Sequence, residues 1–267
     1  MKNIRNHYRY PIILLKQLVK TDFKLRYQGS VLGYSWSLLR PMILFLILYI
    51  VFVKFLRIGG DTPHFAVYLL LGIVVWGYFA EVTIGSVSSI VARGDLLRKI
   101  NFPKYVIVLA GSFSAFINLL LNFVVIAVFM YIDGVDLRFT VILFPILLLE
   151  LYIFSLALAF VLSAVFVRFR DMNYIWEVVM QAAFYATPIL YPLSLVPLSA
   201  SKILMLNPMA QIIQDLRYIL ITPQAVTVDQ IYNTQYIRLI PITIVLLSVI
   251  FAALYFRKRS KFFSDDV

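Results

Sequence analysis

Residues 105–132 read YVIVLAGSFSAFINLLLNFVVIAVFMYI, 28 consecutive positions without a charge between Lys104 and Asp133. A helix needs ~20 predominantly apolar residues to cross the hydrocarbon core of a bilayer. In lipid only helices and closed barrels satisfy the backbone, and this run shows no period-two alternation, so a helix is the reading. Two more charge-free runs, 178–201 and 239–256, hold 24 and 18 residues. Three further apolar stretches are interrupted by charge, at Arg40, Glu81 and Glu150. Six spans are therefore expected, at 33–56, 65–91, 105–132, 139–167, 174–192 and 238–256. Together they make an all-α integral membrane protein with 1–267 as a single domain.

The composition agrees with this reading. Of 267 residues, 62% are hydrophobic and 14% charged, whereas ordinary globular domains are nearer half apolar and a quarter charged. A disordered chain is excluded and a soluble domain disfavoured. There is no cysteine, so neither disulfides nor Cys-based metal sites are expected, and two histidines (His7 and His64) make no His-ligated centre. The net charge of +11 reads as a topology signal before it reads as a nucleic-acid footprint, and no nucleic-acid partner is expected. No internal repeat or low-complexity linker is present. The first twenty residues are polar and basic, so a cleaved signal peptide is not expected.

Orientation follows from the cations. Eighteen of the 24 Lys and Arg fall in residues 1–40, 93–104, 168–170 and the tail after span six. The other six are Lys54, Arg57, Arg138, Lys202, Arg217 and Arg238. The positive-inside bias puts both termini in the cytoplasm, consistent with an even number of crossings.

Segments between the spans carry their own signals. In 11–26, Leu15, Leu18, Val19 and Phe23 share one helical face beside a stripe of Lys16, Lys20 and Lys24, which predicts an amphipathic helix in the membrane interface. In 93–104, Asp95 begins and Pro103 ends a short helix. Its ridge of Leu96, Leu97 and Ile100 stands among Arg98 and Lys99, and such a ridge needs a partner to bury it. In 192–222, apolar pieces broken by Pro208 are too short to cross and predict external re-entrant helices. Glu81, Glu150 and Glu177 are costly acids in or near spans. Asp133 and Asp136 flank Gly134 and read as a turn. The sequence has no G-x-x-x-x-G-K-[ST] loop, no H-E-x-x-H and no G-x-S-x-G, so no catalytic residues, metal or cofactor are expected in this chain.

Four segments together, KLRYQGSVLGYSWSLLRPM (24–42), DLLRKINFPKYV (95–106), VRFRDMNYIWEVVMQAAFYATPILYP (167–192) and NPM (207–209), carry a family likeness. In order and spacing they resemble the membrane subunit of ABC exporters for bacterial surface polysaccharides, such as O-antigen, capsule and teichoic acid. The resemblance implies a bacterial inner-membrane permease, a homodimer working with two copies of a cytoplasmic ATP-binding subunit that holds ATP and Mg. The substrate class it implies is a glycan or teichoic acid on undecaprenyl pyrophosphate. Asp95, Leu96, Leu97, Arg98, Lys99, Ile100 and Phe102 would form the coupling helix against that subunit, with Arg170 and Asp171 as a second contact. Tyr49, Phe52, Trp76, Phe79, Phe184, Tyr185 and Tyr191 would line the channel. Arg26 and Arg40 would meet the pyrophosphate, and 192–222 would be the external gate helices. A permease for small lipids or drugs, or a membrane-embedded lipid-linked sugar transferase, remains an alternative on sequence. With the termini inside, an epitope fused to either one should be protected from protease in intact spheroplasts and cleaved after lysis; cleavage in intact cells would overturn the topology.

Overall fold

The computed structural model describes residues 2–27, 33–57, 62–99 and 102–263. Every regular element among them is helical. In chain order these are α1 (Lys2–Tyr27), α2 (Trp36–Tyr49), α3 (Phe65–Val87), α4 (Gly94–Lys99), α5 (Tyr105–Ile132), α6 (Phe144–Arg168), α7 (Met172–Ala186), α8 (Leu198–Leu204), α9 (Pro208–Leu220), α10 (Val228–Tyr232) and α11 (Leu239–Arg259). α2 runs on into a π-helical stretch, Ile50–Phe55.

Five segments are long and apolar enough to cross a membrane: Trp36–Phe55, Phe65–Val87, Tyr105–Ile132, Phe139–Arg168 and Tyr236–Arg259. The expected span 174–192 is not among them. α7 has 15 residues, about 22 Å at the helical rise, and stops just before Pro188. Proline removes a donor and clashes with the preceding turn, so the helix ends there. Other boundaries shift for local reasons. The helix expected over 11–26 already begins at Lys2. The span expected to Val91 ends at Val87, and only Gly94–Lys99 of 93–104 is α-helical. The 192–222 stretch divides at Pro208, which occupies the first turn of α9, where its missing N–H costs nothing.

The core is built around α3, which packs against α5, α6, α2, α7 and α9. Of its apolar window 78% is buried, against 6% for Trp36–Phe55. α3 is thus the inner helix of the protomer, and α2 turns most of its surface outward.

Side-chain contacts define two ends. At one, Arg93 donates to Asp22 of α1, and Lys104 Nζ donates to the Ser260 carbonyl at 2.8 Å. At the other, His64 Nδ1 and Asp133 Oδ2 lie 2.9 Å apart, joining the α2–α3 and α5–α6 connections. α6 and α11 run in the same direction: Phe160 meets Phe256 near the first end, with ring centroids 4.8 Å apart, while Glu150 feels the charges of both Arg238 and Asp215 near the second. The chain between Arg168 and Leu239 must therefore travel back through the protein.

That return is fastened by one buried cation. Ending α7 at Pro188 leaves carbonyls in a buried turn, where each needs a donor. Arg217 of α9, fully buried, supplies them. Its Nη1 donates to the Pro188 carbonyl at 2.6 Å, its Nη2 to Ile189 at 2.7 Å and its Nε to Tyr68 at 3.1 Å. The guanidinium carbon also sits 3.5 Å from the centre of the Tyr68 ring, a cation–π contact. The Tyr68 hydroxyl donates to Gln214 of α9 at 3.1 Å. Gly72, one turn beyond Tyr68, keeps the approach open, since a Cβ there would lie 2.5 Å from Arg217 Nη2 and 3.2 Å from the Ile189 carbonyl oxygen. The far end of α9 is closed by Arg138, which donates to the Tyr218 carbonyl, and by Thr140, which donates to Ile219 at 3.2 Å. Gly72→Ala should displace the guanidinium and destabilise the protein by ~1–3 kcal/mol, the cost of leaving a buried donor or acceptor unsatisfied. Gly77→Ala, with nothing within 4 Å of its Cβ, should leave the melting temperature unchanged or higher; equal melting of the two variants in detergent would refute the close-approach argument.

Candidate functional sites at the two ends

The basic end gathers the short helix α4 and the turn between α6 and α7. Asp95 is exposed and Leu96 is half-buried against the core. Ile100 lies outside the described residues, as do the side chains of Leu97, Arg98 and Lys99. Phe102, expected to face a partner, is instead buried in the protomer's own core. The α6–α7 turn stands out from the bundle. Arg168, Phe169, Arg170 and Asp171 are all exposed. Arg168 lies 5.4 Å over the Phe169 ring and Arg170 5.4 Å over Phe166. The turn is therefore a compact cationic and aromatic surface. Along α1, Lys16, Lys20 and Lys24 are exposed, while Leu15, Leu18 and Val19 turn inward. Arg40 is exposed in the first turns of α2; the side chain of Arg26 lies outside the described residues.

The aromatic residues form a connected series that runs from core to surface. Phe79 stacks on Phe154 of α6 (5.8 Å between centroids, interplanar angle 6°) and meets Trp76 at 5.4 Å. Trp76 meets Phe184 edge-on at 6.0 Å, and Phe184 meets Tyr185 at 5.3 Å. Trp76 and Phe79 are buried inside the protomer, whereas Tyr185 is 69% exposed. Tyr191, half-buried, donates its hydroxyl to the Tyr185 carbonyl at 3.1 Å. Tyr49 packs on Phe45 at 5.8 Å, and Phe52 is half-buried in the π-helical stretch. The structure thus gives Trp76 and Phe79 to packing within one chain and leaves Tyr185 on an open face.

The far end holds a polar cluster that sequence reading did not assemble. Arg238 lies 3.3 Å from Asp215 and 2.8 Å from Asp229. Gln211 donates to Asp215 at 2.7 Å. Glu150 of α6 faces the same group, and its Oε1 is buried without a hydrogen-bond partner. Burial pushes the Asp215 carboxyl up from its ordinary value, against the lowering effect of Arg238 and Gln211. The signal was present: Gln211, Gln214, Asp215 and Arg217 interrupt an otherwise apolar dozen residues, and polar groups at membrane depth mark contacts.

Residues 13–221, from α1 to just past α9, match the family of ABC-2 type transporters. The O-antigen export system permease protein RfbA of Myxococcus xanthus is 33% identical over 211 residues, 78% of this chain and 80% of that one. The O-antigen export system permease protein RfbA of Klebsiella pneumoniae is 27% identical over 254 residues, 95% of each chain. Together with its apolar helices, this makes the chain a multi-pass membrane protein. The split among the aromatics has a direct check. Trp76→Ala should lower stability by ~3–5 kcal/mol as a large core truncation, while Tyr185→Ala should change it by under ~0.5 kcal/mol as an exposed substitution; similar thermal shifts for both variants would contradict the placement.

Proposed function

The chain belongs to the ABC-2 type transporter family, and on that premise we propose that it is the transmembrane subunit of an ATP-driven exporter of lipid-linked surface polysaccharide. The observation that carries this reading is the end-to-end likeness to an O-antigen export permease. The substrate class is a glycan or teichoic acid polymer on undecaprenyl pyrophosphate. Two copies of this chain pair with two cytoplasmic ATP-binding subunits in the inner membrane.

The chain's own part in the work is physical. A polymer with many hydroxyls cannot enter hydrocarbon, because each unpaired polar group costs several kcal/mol. A wet path lined by rings lets sugars stack by their C–H faces without holding any one unit tightly. Tyr185 and Tyr191, with Tyr49 at the end of the outward-turned α2 and Phe52 in the π-helical stretch after it, line it where two copies meet. Exposed Arg40, with Arg26, is suited to the pyrophosphate, since charge-assisted bonds to phosphate are strong. ATP and Mg, bound by the partner, supply the driving free energy, which α4 and the Arg168–Asp171 turn receive.

The same scheme has six crossings and cytoplasmic termini. α7 and the buried turn after it make the sixth crossing, a reading favoured by the parallel course of α6 and α11. The connections carrying most of the cations then lie inside. α8 and α9 form the outer gate. Because Arg217 and Arg138 tie α9 and the turn after α7 to the bundle, gating motion belongs to the more exposed α8, with α9 as its fixed seat.

Leu97→Asp and Ile100→Asp should leave membrane insertion intact while abolishing polysaccharide export and the coupling of partner ATPase activity to it. Normal export by both variants, measured as surface glycan, would overturn the docking surface and with it this reading.

A further inference from the structure

We propose that the cleft between α5, α6 and α11 at the basic end is a binding site for an anionic phospholipid, separate from the transport path. The cleft has a volume of ≈ 710 Å³, within the ~300–1,000 Å³ usual for ligand sites. Its walls are apolar: Ile153, Leu156 and Ala157 of α6 face Val249, Ala252 and Ala253 of α11. Three alanines open the space where larger side chains would close it, and the Phe160–Phe256 pair bounds it.

The rim has the opposite character. Lys104, Arg257 and Lys261 all line the cleft, and no carboxylate is among the residues that line it. Lys104 is held in place by the Ser260 carbonyl at 2.8 Å and lies 5.7 Å over the Phe263 ring. Arg257 and Lys261 are exposed. An apolar slot beneath three cations complements a molecule with an acyl chain and a phosphate head, and basic pockets between membrane helices bind such headgroups. The charge bias sets this rim at the cytoplasmic leaflet, where anionic phospholipids meet it. Neither Tyr185 nor any residue of α9 lines the site, so it acts on the standing of α11 against α6 rather than on cargo.

The test uses the purified full-length protein in detergent, titrated with phosphatidylglycerol or phosphatidylcholine and read by native mass spectrometry. Phosphatidylglycerol should remain bound to each protomer where phosphatidylcholine is lost. The Arg257→Gln/Lys261→Gln double variant should weaken retention about thirtyfold, the ratio expected when two basic groups beside an anionic lipid are removed. Ala253→Phe should also weaken it, by filling the slot; a helical circular dichroism spectrum and unchanged elution keep either loss distinct from misfolding. Equal retention of the two lipids by the unaltered protein, or unchanged retention in either variant, would overturn the proposal. So would displacement by equimolar polyprenyl phosphate, which would make the occupant a carrier lipid, or a disulfide between Ala253→Cys copies, which would make the cleft a protein interface.

Discussion

Burying a guanidinium away from water costs several kcal/mol unless its donors find acceptors. Arg217 meets that condition with three backbone carbonyls and a tyrosine ring. The carbonyls need Arg217 as much as it needs them. Pro188 stops α7 inside the protein, and the turn that follows is buried with acceptors that no helix satisfies. One side chain therefore resolves two liabilities and fixes three elements, α3, α9 and the exit of α7, against each other. Gly72 is the steric counterpart of this arrangement. Without the fastening, α9 would lose its link to the exit of α7 and keep only the ties made by Tyr68, Arg138, Thr140 and Arg238.

With α9 fastened, the two ends of the bundle take different characters. The far end is closed by a buried polar network around Asp215 and by the caps that Arg138 and Thr140 place on α9. That network is only partly satisfied, since Glu150 Oε1, Gln211 Oε1 and Arg238 Nε are buried without a hydrogen-bond partner. The basic end is joined by contacts with exposed margins, namely Arg93 with Asp22 and Lys104 with Ser260. Its α6–α7 turn projects outward. The two ends therefore differ in accessibility: one carries exposed cations and rings at the α6–α7 turn, the other encloses its charges among helices.

Much of the fold was legible from residues alone, and the failures have physical causes. Tyr105–Ile132 could be marked out because nothing charged interrupts it. The shortfall of α7 was signalled by Pro188, Pro192 and Pro197, yet the uncharged run continues past them, and hydropathy alone does not register a broken ladder. The aromatics were harder. Trp76 and Tyr185 look alike in sequence, each within an apolar stretch; one is enclosed and the other is open. α3 is apolar all round, so its pattern carries no phase to say which side faces lipid.

What the sequence determined by itself is set by the solvent. Hydrocarbon demands ~20 apolar residues in helical form, and the membrane's asymmetry sorts Lys and Arg. Both are local rules that a reader of residues can apply. What only the tertiary structure decided is the pairing of distant groups: Arg217 with Pro188 and Tyr68, Asp215 with Arg238, Lys104 with the end of α11. These depend on how each helix is rotated and how deep it sits. That is fixed by packing against neighbours remote in the chain, and no local pattern encodes it.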